Sequence, residues 1–537
     1  MRLGNFKTRL GRVAVGSLAA LCVSLLLVAA PSSVAVAGDK TRDRAARALR
    51  EGEYALAEQL FREILAKNHR DQAARLGLSY ALLKMRRLAS AFEQAAAVVA
   101  VDPLSARAHA LAGSALLAGG DFPHAVEAYR TALSLKEDES LAIAGLAMID
   151  YYENRLNASL AGLRRAVFIS PRESDYIFSL AQAASRAERY KEAADAYERF
   201  LQVAPRTDED RRARIRGLID FLRYLGGLNS LYDISGAQAT TVAFDMPNNR
   251  PILKVRVNGR REPLRFVLDT GSGMSVISDE TARLLGVSPV ARGGMARAVG
   301  GKFEIVYGFL RSVEIGDAKV ENVPVYIRRF YNDEIQVDGY IGLAVVNRYL
   351  MTVDYGARTF SLARPGSNSA AIAADAARRP AQLAGIEIPF RSTSSGFLSG
   401  EVQVEGVSQP FNFIIDTGAS ISVVSEKMME LDEMHVFKRP RRMKIYGAAG
   451  VAEGVQTLVL PRVVFGAQAR EKLDVAVLDL EPVNETTGFV QSGIIGGNFL
   501  RHFRVTFDFR KSVILLEPLE ASASSAEGGA EAAAAKS

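Results

Sequence analysis

The sequence contains no tryptophan, and Cys22 is the only cysteine among its 537 residues. A disulfide framework, a structural zinc site and a cysteine nucleophile within a folded domain are therefore excluded. The five histidines are scattered, and no two of them have metal-ligand spacing such as His-Glu-x-x-His. These absences argue against most metalloenzymes and against hydrolases that use a Ser–His or Cys–His pair. We therefore expect neither a metal nor a cofactor.

The charge balance is close to neutral for a chain of this length. Basic residues number 67 and acidic residues 60, which leaves a formal net charge of +7. Such an excess does not by itself imply binding to nucleic acid or to a membrane surface. A basic run from Lys438 to Lys444 has no interleaved aromatic residues and is interpreted as a solvated face. We expect no nucleic-acid partner.

The first 37 residues have the layout of a secretory signal peptide. Four basic residues precede an uncharged, mostly apolar run from residue 13 to residue 30, and Ala35-Val36-Ala37 supplies a small-x-small cleavage site. The apolar run is borderline for a membrane span, so an uncleaved anchor is the alternative. Both alternatives leave the rest of the chain outside the cytoplasm. Export without disulfides favours the periplasm or cell envelope of a bacterium.

Residues 39–228 are rich in Ala, Leu, Glu and Arg and have apolar residues at helical spacing. A pattern with a period of 34 residues recurs five times in this segment. Its small residues are Ala57, Ala91, Ala125, Ser159 and Ala193. A small residue lets two helices cross closely, and an aromatic residue four positions later, such as Tyr129, fills the groove on the same face. The pattern resembles the tetratricopeptide repeat and predicts five repeats followed by a capping helix.

The resemblance to tetratricopeptide repeats implies a concave surface that binds a peptide or a partner protein. The alternative is a spacer that holds the following domains away from a membrane or an assembly. The sequence identifies no particular partner for this surface.

From about residue 235 the apolar residues alternate with polar ones, which is the periodicity of β-strands. The same unit occurs twice, at residues 235–365 and 384–519. Each copy has a turn glycine ten residues before an Asp-Thr-Gly triplet, then a glycine-rich segment and a later apolar-Gly pair. The triplets are Asp269-Thr270-Gly271 and Asp416-Thr417-Gly418. Residues 366–383 are interpreted as a linker and residues 520–537 as a disordered tail.

The order of these landmarks resembles that of the retropepsin-like aspartic proteases, which have a hairpin, an Asp-Thr-Gly-(Ala/Ser) loop, a glycine-rich flap and an Ile-Ile-Gly strand. The resemblance covers roughly 285 residues. It implies a multidomain chain in which an all-α solenoid precedes two all-β acid-protease domains that form a pseudo-dimer. It also implies that Asp269 and Asp416 are the catalytic pair, because two carboxylates that share one proton can activate a water molecule.

The resemblance also implies roles for the residues beside the two aspartates. Thr270 and Thr417 are similar to threonines whose hydroxyls cross-bond the opposing loop. Gly271 and Gly418 let the loop backbone approach the carboxylates without a clash.

The two loops differ at the next position, where Ser272 corresponds to Ala419. A hydroxyl beside an aspartate can stabilise its ionised form, whereas an alanine cannot. The sequence therefore predicts that Asp269 is the ionised member of the pair.

The glycine-rich segments are predicted to form flaps, which are hairpins that cover bound peptide and exclude water. The residues predicted to contact substrate there are Val299, Gly300 and Gly301 in the first copy and Tyr446, Gly447 and Ala448 in the second.

These features predict an aspartic endopeptidase that cleaves envelope or secreted polypeptides, with the repeat region recruiting substrate or a partner. The alternative is a non-catalytic scaffold in which the repeats and a pseudo-protease both serve as binding surfaces.

Overall fold

The computed structural model describes residues 33–298, 300–331, 335–365, 386–447 and 449–519. The predicted signal segment up to residue 32, the predicted linker and the predicted tail lie outside these residues. In the described part of the chain, no helix is both long and apolar enough to cross a membrane.

Eleven α-helices precede the first strand within the described residues. They are α1 (Ser33–Glu51), α2 (Tyr54–Lys67), α3 (Gln72–Lys84), α4 (Leu88–Val101), α5 (Ala106–Gly119), α6 (Phe122–Leu135), α7 (Ser140–Tyr152), α8 (Leu156–Ile169), α9 (Ser174–Arg186), α10 (Tyr190–Val203) and α11 (Glu209–Gly226). Each helix packs against the next along the chain. The predicted all-α region is confirmed.

Small residues at fixed spacing allow these helices to pack closely. The five small residues at the 34-residue period are all fully buried. Tyr129 on α6 is also buried, and its ring lies against Gly113 and Gly145 of the neighbouring helices α5 and α7. A Cβ atom at Gly145 would lie only 2.1 Å from the Cζ atom of Tyr129. The aromatic ring therefore fills a groove that exists because its neighbours have no side chain.

The first β copy contains eleven strands and two short helices within the described residues. They are β1 (Asp233–Gly236), β2 (Ala239–Ala243), β3 (Ile252–Val257), β4 (Leu264–Leu268), β5 (Ser275–Ser278), α12 (Asp279–Leu285), β6 (Ala291–Ala298), β7 (Gly301–Ile315), β8 (Ala318–Arg328), β9 (Gly339–Ile341), α13 (Leu343–Val346), β10 (Leu350–Asp354) and β11 (Thr359–Ala363). Eight of these strands form one sheet in the order β1-β8-β5-β9-β4-β3-β7-β6.

The second β copy repeats this arrangement. Its elements are β12 (Ile386–Pro389), β13 (Arg391–Ser392), β14 (Leu398–Val404), β15 (Phe411–Ile415), β16 (Ser422–Ser425), β17 (Lys438–Gly447), β18 (Gly450–Phe465), β19 (Gln468–Leu478), α14 (Glu481–Thr487), β20 (Gly493–Ile495), α15 (Gly497–Leu500), β21 (Phe503–Asp508) and β22 (Val513–Pro518). Its eight-stranded sheet has the order β13-β14-β15-β20-β16-β19-β18-β17. The parallel pairs β4–β9 and β15–β20 are equivalent in the two copies.

A third sheet joins the two copies. Its six strands have the order β12-β22-β21-β10-β11-β2, so that each copy contributes three of them. At its centre β10 and β21 are antiparallel, and Thr352 lies opposite Thr506 with 2.9 Å between their hydroxyl oxygens. Equivalent residues of the two copies therefore meet at a pseudo-twofold axis. The predicted pseudo-dimer of two all-β domains is confirmed.

The helical region packs directly against both β copies. On the first copy, Phe221 of α11 stacks on Tyr307 of β7, with ring centroids 4.2 Å apart. On the second copy, the buried Phe489 lies edge-on between Phe122 and Tyr152, at centroid distances of 4.9 and 5.1 Å. The repeats are thus one wall of the protease-like unit, an arrangement for which the sequence contains no signal.

Candidate active site

Asp269 and Asp416 each follow a buried central strand of their copy. The N–H of Asp269 donates to the carbonyl of Ile341 at 3.0 Å, and the N–H of Asp416 donates to that of Ile495 at 2.9 Å. The apolar-Gly strands β9 and β20 therefore hold the two loops from behind. The two aspartate side chains share a hydrogen bond with each other. The structure brings together two carboxyl groups that lie 147 positions apart in the sequence.

The two threonines connect the opposing loops symmetrically. The N–H of Thr270 donates to Thr417 Oγ1 at 3.1 Å, and the N–H of Thr417 donates to Thr270 Oγ1 at 3.0 Å. Each hydroxyl then donates to a carbonyl of the other copy at 2.7 Å, from Thr270 to Ile415 and from Thr417 to Leu268. Both side chains are fully buried. Four hydrogen bonds therefore fix the spacing of the two loops.

The two glycines of the triplets lie against the carboxyl groups of the opposite loop. A Cβ atom at Gly271 would lie 2.4 Å from Oδ2 of Asp416, and one at Gly418 would lie 2.8 Å from Oδ1 of Asp269. Any side chain at these positions would push the two loops apart.

The surroundings of the two carboxyls favour the shared proton on Asp269 rather than on Asp416. Burial and the adjacent negative charge of Asp416 raise the pKa of Asp269 well above its ordinary value. Burial also raises the pKa of Asp416, but its Oδ1 accepts the N–H groups of Gly418 at 2.7 Å and Ala419 at 3.2 Å, which stabilise its ionised form.

The contacts in the two loops therefore oppose the prediction that Asp269 is the ionised member. It depended on the Ser272 hydroxyl stabilising the Asp269 carboxylate. In the structure this hydroxyl donates to the carbonyl of Met274 at 2.6 Å. The backbone N–H groups of the second loop, rather than a side chain of the first, favour the negative charge on Asp416.

The glycine-rich segments form two hairpins whose tips meet. One hairpin is β6–β7 and the other is β17–β18. A Cβ atom at Gly300 would lie 2.5 Å from the carbonyl oxygen of Gly450, so the two backbones are in contact. Gly301 follows in the same turn with a φ of +135°, where glycine is favoured. The predicted flap residues Val299 and Ala448 lie outside the described residues.

A cavity of about 2030 Å³ extends from the aspartates into the helical region. Asp269, Asp416 and the flap residues Tyr446 and Gly447 line its floor and roof. Side chains of the repeat helices, including Tyr151, Phe178 and Arg186, line the same cavity. The space lined by the repeat helices and the space above the aspartates are therefore continuous.

Arg328 is a further residue of the site that the sequence analysis did not identify. It ends strand β8, lines the cavity, and its positive charge acts on Asp269 to lower the pKa of that carboxyl, against the larger effects described above. An alignment of the two copies in the sequence could have identified Arg328, because the equivalent strand β19 ends at Leu478 and therefore has an aliphatic residue at that position.

Two family models match the chain. The aspartyl protease model matches residues 253–345 and 400–499, one segment in each β copy. The tetratricopeptide repeat model matches residues 48–114. The chain therefore combines two aspartyl-protease segments of the retropepsin-like kind with an N-terminal tetratricopeptide-repeat region. Among curated proteins, no sequence matches the chain at a significant level.

The solved structures that match the chain each cover one region or the other. An aspartic proteinase from Irpex lacteus has 13% identity over 53% of this chain and 99% of its own, with a TM-score of 0.36. A thermophilic tetratricopeptide-repeat protein of Thermus thermophilus has 20% identity over 34% of this chain and 98% of its own, with a TM-score of 0.30. MamA of Desulfovibrio magneticus has 19% identity over 31% of this chain and 94% of its own, with a TM-score of 0.23.

Proposed function

We propose that the chain is an aspartic endopeptidase that hydrolyses peptide bonds of envelope or secreted polypeptides in a bacterium. The observation that carries the proposal is the hydrogen-bonded pair of Asp269 and Asp416, whose surroundings favour one protonated and one ionised carboxyl. This pair is the chemical requirement for attack by water on an amide without a covalent intermediate.

The proposed reaction uses the asymmetry of the pair. The Asp416 carboxylate takes a proton from a water molecule held between the two side chains. The Asp269 carboxyl donates a hydrogen bond to the carbonyl oxygen of the scissile peptide, which polarises it for attack. The Asp416 carboxyl then gives the proton that it took from the water to the amide nitrogen as the C–N bond breaks, which restores the ionised Asp416 beside the protonated Asp269. The flaps, whose tips meet above the pair, exclude bulk water from this step.

The repeat region would recruit the substrate or a partner protein. This part of the proposal is supported by the cavity, since side chains of the repeat helices and the aspartates line the same space. A polypeptide bound across the aspartates would therefore also contact the repeats.

The test is proteolysis of a mixed peptide library between about pH 4 and pH 8, a range that begins at the ordinary pKa of a carboxyl and extends above it. We expect Asp269→Asn and Asp416→Asn each to lower cleavage by about 100- to 10,000-fold. Asp508→Asn is the matched control, because Oδ1 of Asp508 accepts the turn N–H groups of Arg510 and Lys511.

Cleavage that survives either dyad substitution would contradict the proposal. If the unmodified chain cleaves nothing across the pH range, the alternative is favoured, in which the protease-like unit and the repeats form a binding scaffold without catalysis.

A further inference from the structure

The two sides of the aspartate pair can be compared residue by residue, because the copies have the same strand pairings. Arg328 of β8 pairs with Ser278, and Leu478 of β19 pairs with Ser425. These two pairs are equivalent, so Arg328 on the Asp269 side corresponds to Leu478 on the Asp416 side. A cation in one copy thus replaces an aliphatic side chain in the other.

At a second pair of equivalent positions, the residue on the Asp269 side is again more polar than the one on the Asp416 side. Tyr340 of β9 pairs with Val276, and Ile494 of β20 pairs with Val423. Both Tyr340 and Ile494 line the cavity. The Asp269 side therefore has an aromatic residue with a polar hydroxyl where the Asp416 side has an aliphatic one.

The Asp269 side forms a cationic subsite. The guanidinium carbon of Arg328 lies 5.8 Å from the ring centroid of Phe303, 5.7 Å from that of Phe330 and 5.9 Å from that of Tyr340. Burial lowers the pKa of Arg328, because a charge among aromatic rings has lost part of its hydration. A carboxylate that enters this subsite would lie beside a positive charge in partly dehydrated surroundings, where the attraction between opposite charges is stronger than in water.

The Asp416 side forms an apolar subsite. Leu478 belongs to a buried hydrophobic cluster with Val423, Val455 and Leu480. Partly buried Met443, Ile445 and Ile494 pack against this cluster, and all three line the cavity. A carboxylate packed against this cluster would lose hydration to apolar side chains, whereas an aliphatic side chain would gain apolar contacts.

We propose that the two subsites flanking the aspartate pair select different side chains, an acidic one beside Arg328 and an apolar one beside Leu478. Peptide bonds between an acidic and an apolar residue are then the preferred substrate. The inference rests on the proposed endopeptidase function and names the substrate class of that same site.

The first experiment maps the cleavage sites of the full chain in a mixed peptide library by mass spectrometry. Asp or Glu should be enriched at one of the two positions flanking the cleaved bond, and Leu, Ile, Met or Phe at the other. Cleavage sites with apolar residues on both sides and no acidic enrichment would overturn the inference.

The second experiment compares two peptides that differ only in Glu or Gln at the acidic position. We expect kcat/KM to be about tenfold higher for the Glu peptide, the ratio that corresponds to one well-placed charge interaction. Arg328→Leu should abolish this preference, and Arg328→Lys should keep part of it. Leu478→Met, which conserves volume and polarity, should leave the Glu/Gln ratio unchanged. If Arg328→Leu lowers both rates equally, Arg328 has only a structural role and the inference fails.

Binding separates this inference from the proposed catalysis. Fluorescence anisotropy of the same two labelled peptides on the Asp416→Asn variant should again favour the Glu peptide about tenfold. Equal binding of both peptides would overturn the subsite assignment even if the chain is a protease. The double variant Asp416→Asn, Arg328→Leu should bind the two peptides equally. Loss of the Glu preference in this double variant would support the subsite assignment even if the chain cleaves no peptide.

Discussion

Thr270 and Thr417 donate and accept hydrogen bonds across the pseudo-twofold axis, and each hydroxyl also reaches a carbonyl of the opposite copy. Neither loop can shift without breaking bonds made by the other. The two threonines therefore hold the two halves of the site together by hydrogen bonds, while the two aspartates affect each other's pKa through their charge.

We expect Thr270→Val to destabilise the protease-like unit by about 1–3 kcal/mol, because it leaves the buried carbonyl of Ile415 and the N–H of Thr417 without their partner. Thr417→Val should have an effect of similar size. Thr270→Ser, which retains the hydroxyl, is the control and should lower the free energy of unfolding by less than Thr270→Val. Urea unfolding measures these changes. Because the two threonines share hydrogen bonds, the double Val variant should lose less free energy of unfolding than the sum of the losses in the two single variants. Strict additivity would contradict the cross-bonded arrangement.

The raised pKa of Asp269 predicts a pH-dependent effect of Asp269→Asn on stability. A carboxyl whose folded pKa is raised contributes stability that is fully present below its unfolded pKa and is lost as pH rises through the folded pKa. At neutral pH, Asp269→Asn removes a buried ionisable group and should raise the melting temperature. Near pH 4 the carboxyl is already protonated in the folded chain, so the gain should shrink. A gain that grows as pH falls would contradict the assignment of the proton to Asp269.

The same assignment predicts a bell-shaped pH profile of cleavage. Activity should fall at low pH as Asp416 becomes protonated, and it should fall at high pH as Asp269 loses its proton. Initial rates on one peptide across the pH range measure both limbs. A rate that keeps rising into the alkaline range would exclude a base and an acid of this kind.

Gly271→Ala should lower cleavage by about a hundredfold, since its Cβ atom would lie 2.4 Å from Cγ of Asp416 and displace that carboxyl. Gly119→Ala in helix α5 is the matched control, because nothing lies within 4 Å of a Cβ atom there. The control should be neutral or slightly stabilising, by up to about 1 kcal/mol. Equal effects of the two substitutions on kcat/KM would show that the close approach at Gly271 does not matter.

Helix α11 is expected to hold the first flap in place. A Cβ atom at Gly217 would lie 1.9 Å from the carbonyl oxygen of Arg292 in strand β6. Gly217→Ala should therefore push α11 away from the hairpin and speed hydrogen exchange in β6 and β7, with a change in KM. Gly226→Ala, on the same helix, faces the side chain of Lys191, which can move aside. If exchange in β6 and β7 is the same in both variants, α11 does not restrain the flap.

Local patterns in the sequence determined most of the architecture. The 34-residue period predicted the packed helices, because close crossing requires a small residue at a fixed spacing. The alternation of apolar and polar residues and the repeated triplets predicted two β copies. The triplets also indicated Asp269 and Asp416 as the candidate catalytic pair. The threonine and glycine neighbours were predicted through the resemblance to a family, and the structure has them in contact with the opposite loop.

The preferred location of the proton, the proximity of Arg328 to Asp269 and the packing of the repeats on the protease-like unit became visible only in the tertiary structure. The Ser272 hydroxyl could have faced Asp269, and nothing in the sequence indicates that it bonds to Met274 instead. Each of these features depends on burial and on contacts between residues far apart in the chain. Sequence periodicity reports which face of an element is apolar, but the electric field at a buried carboxyl arises from the groups that folding brings around it.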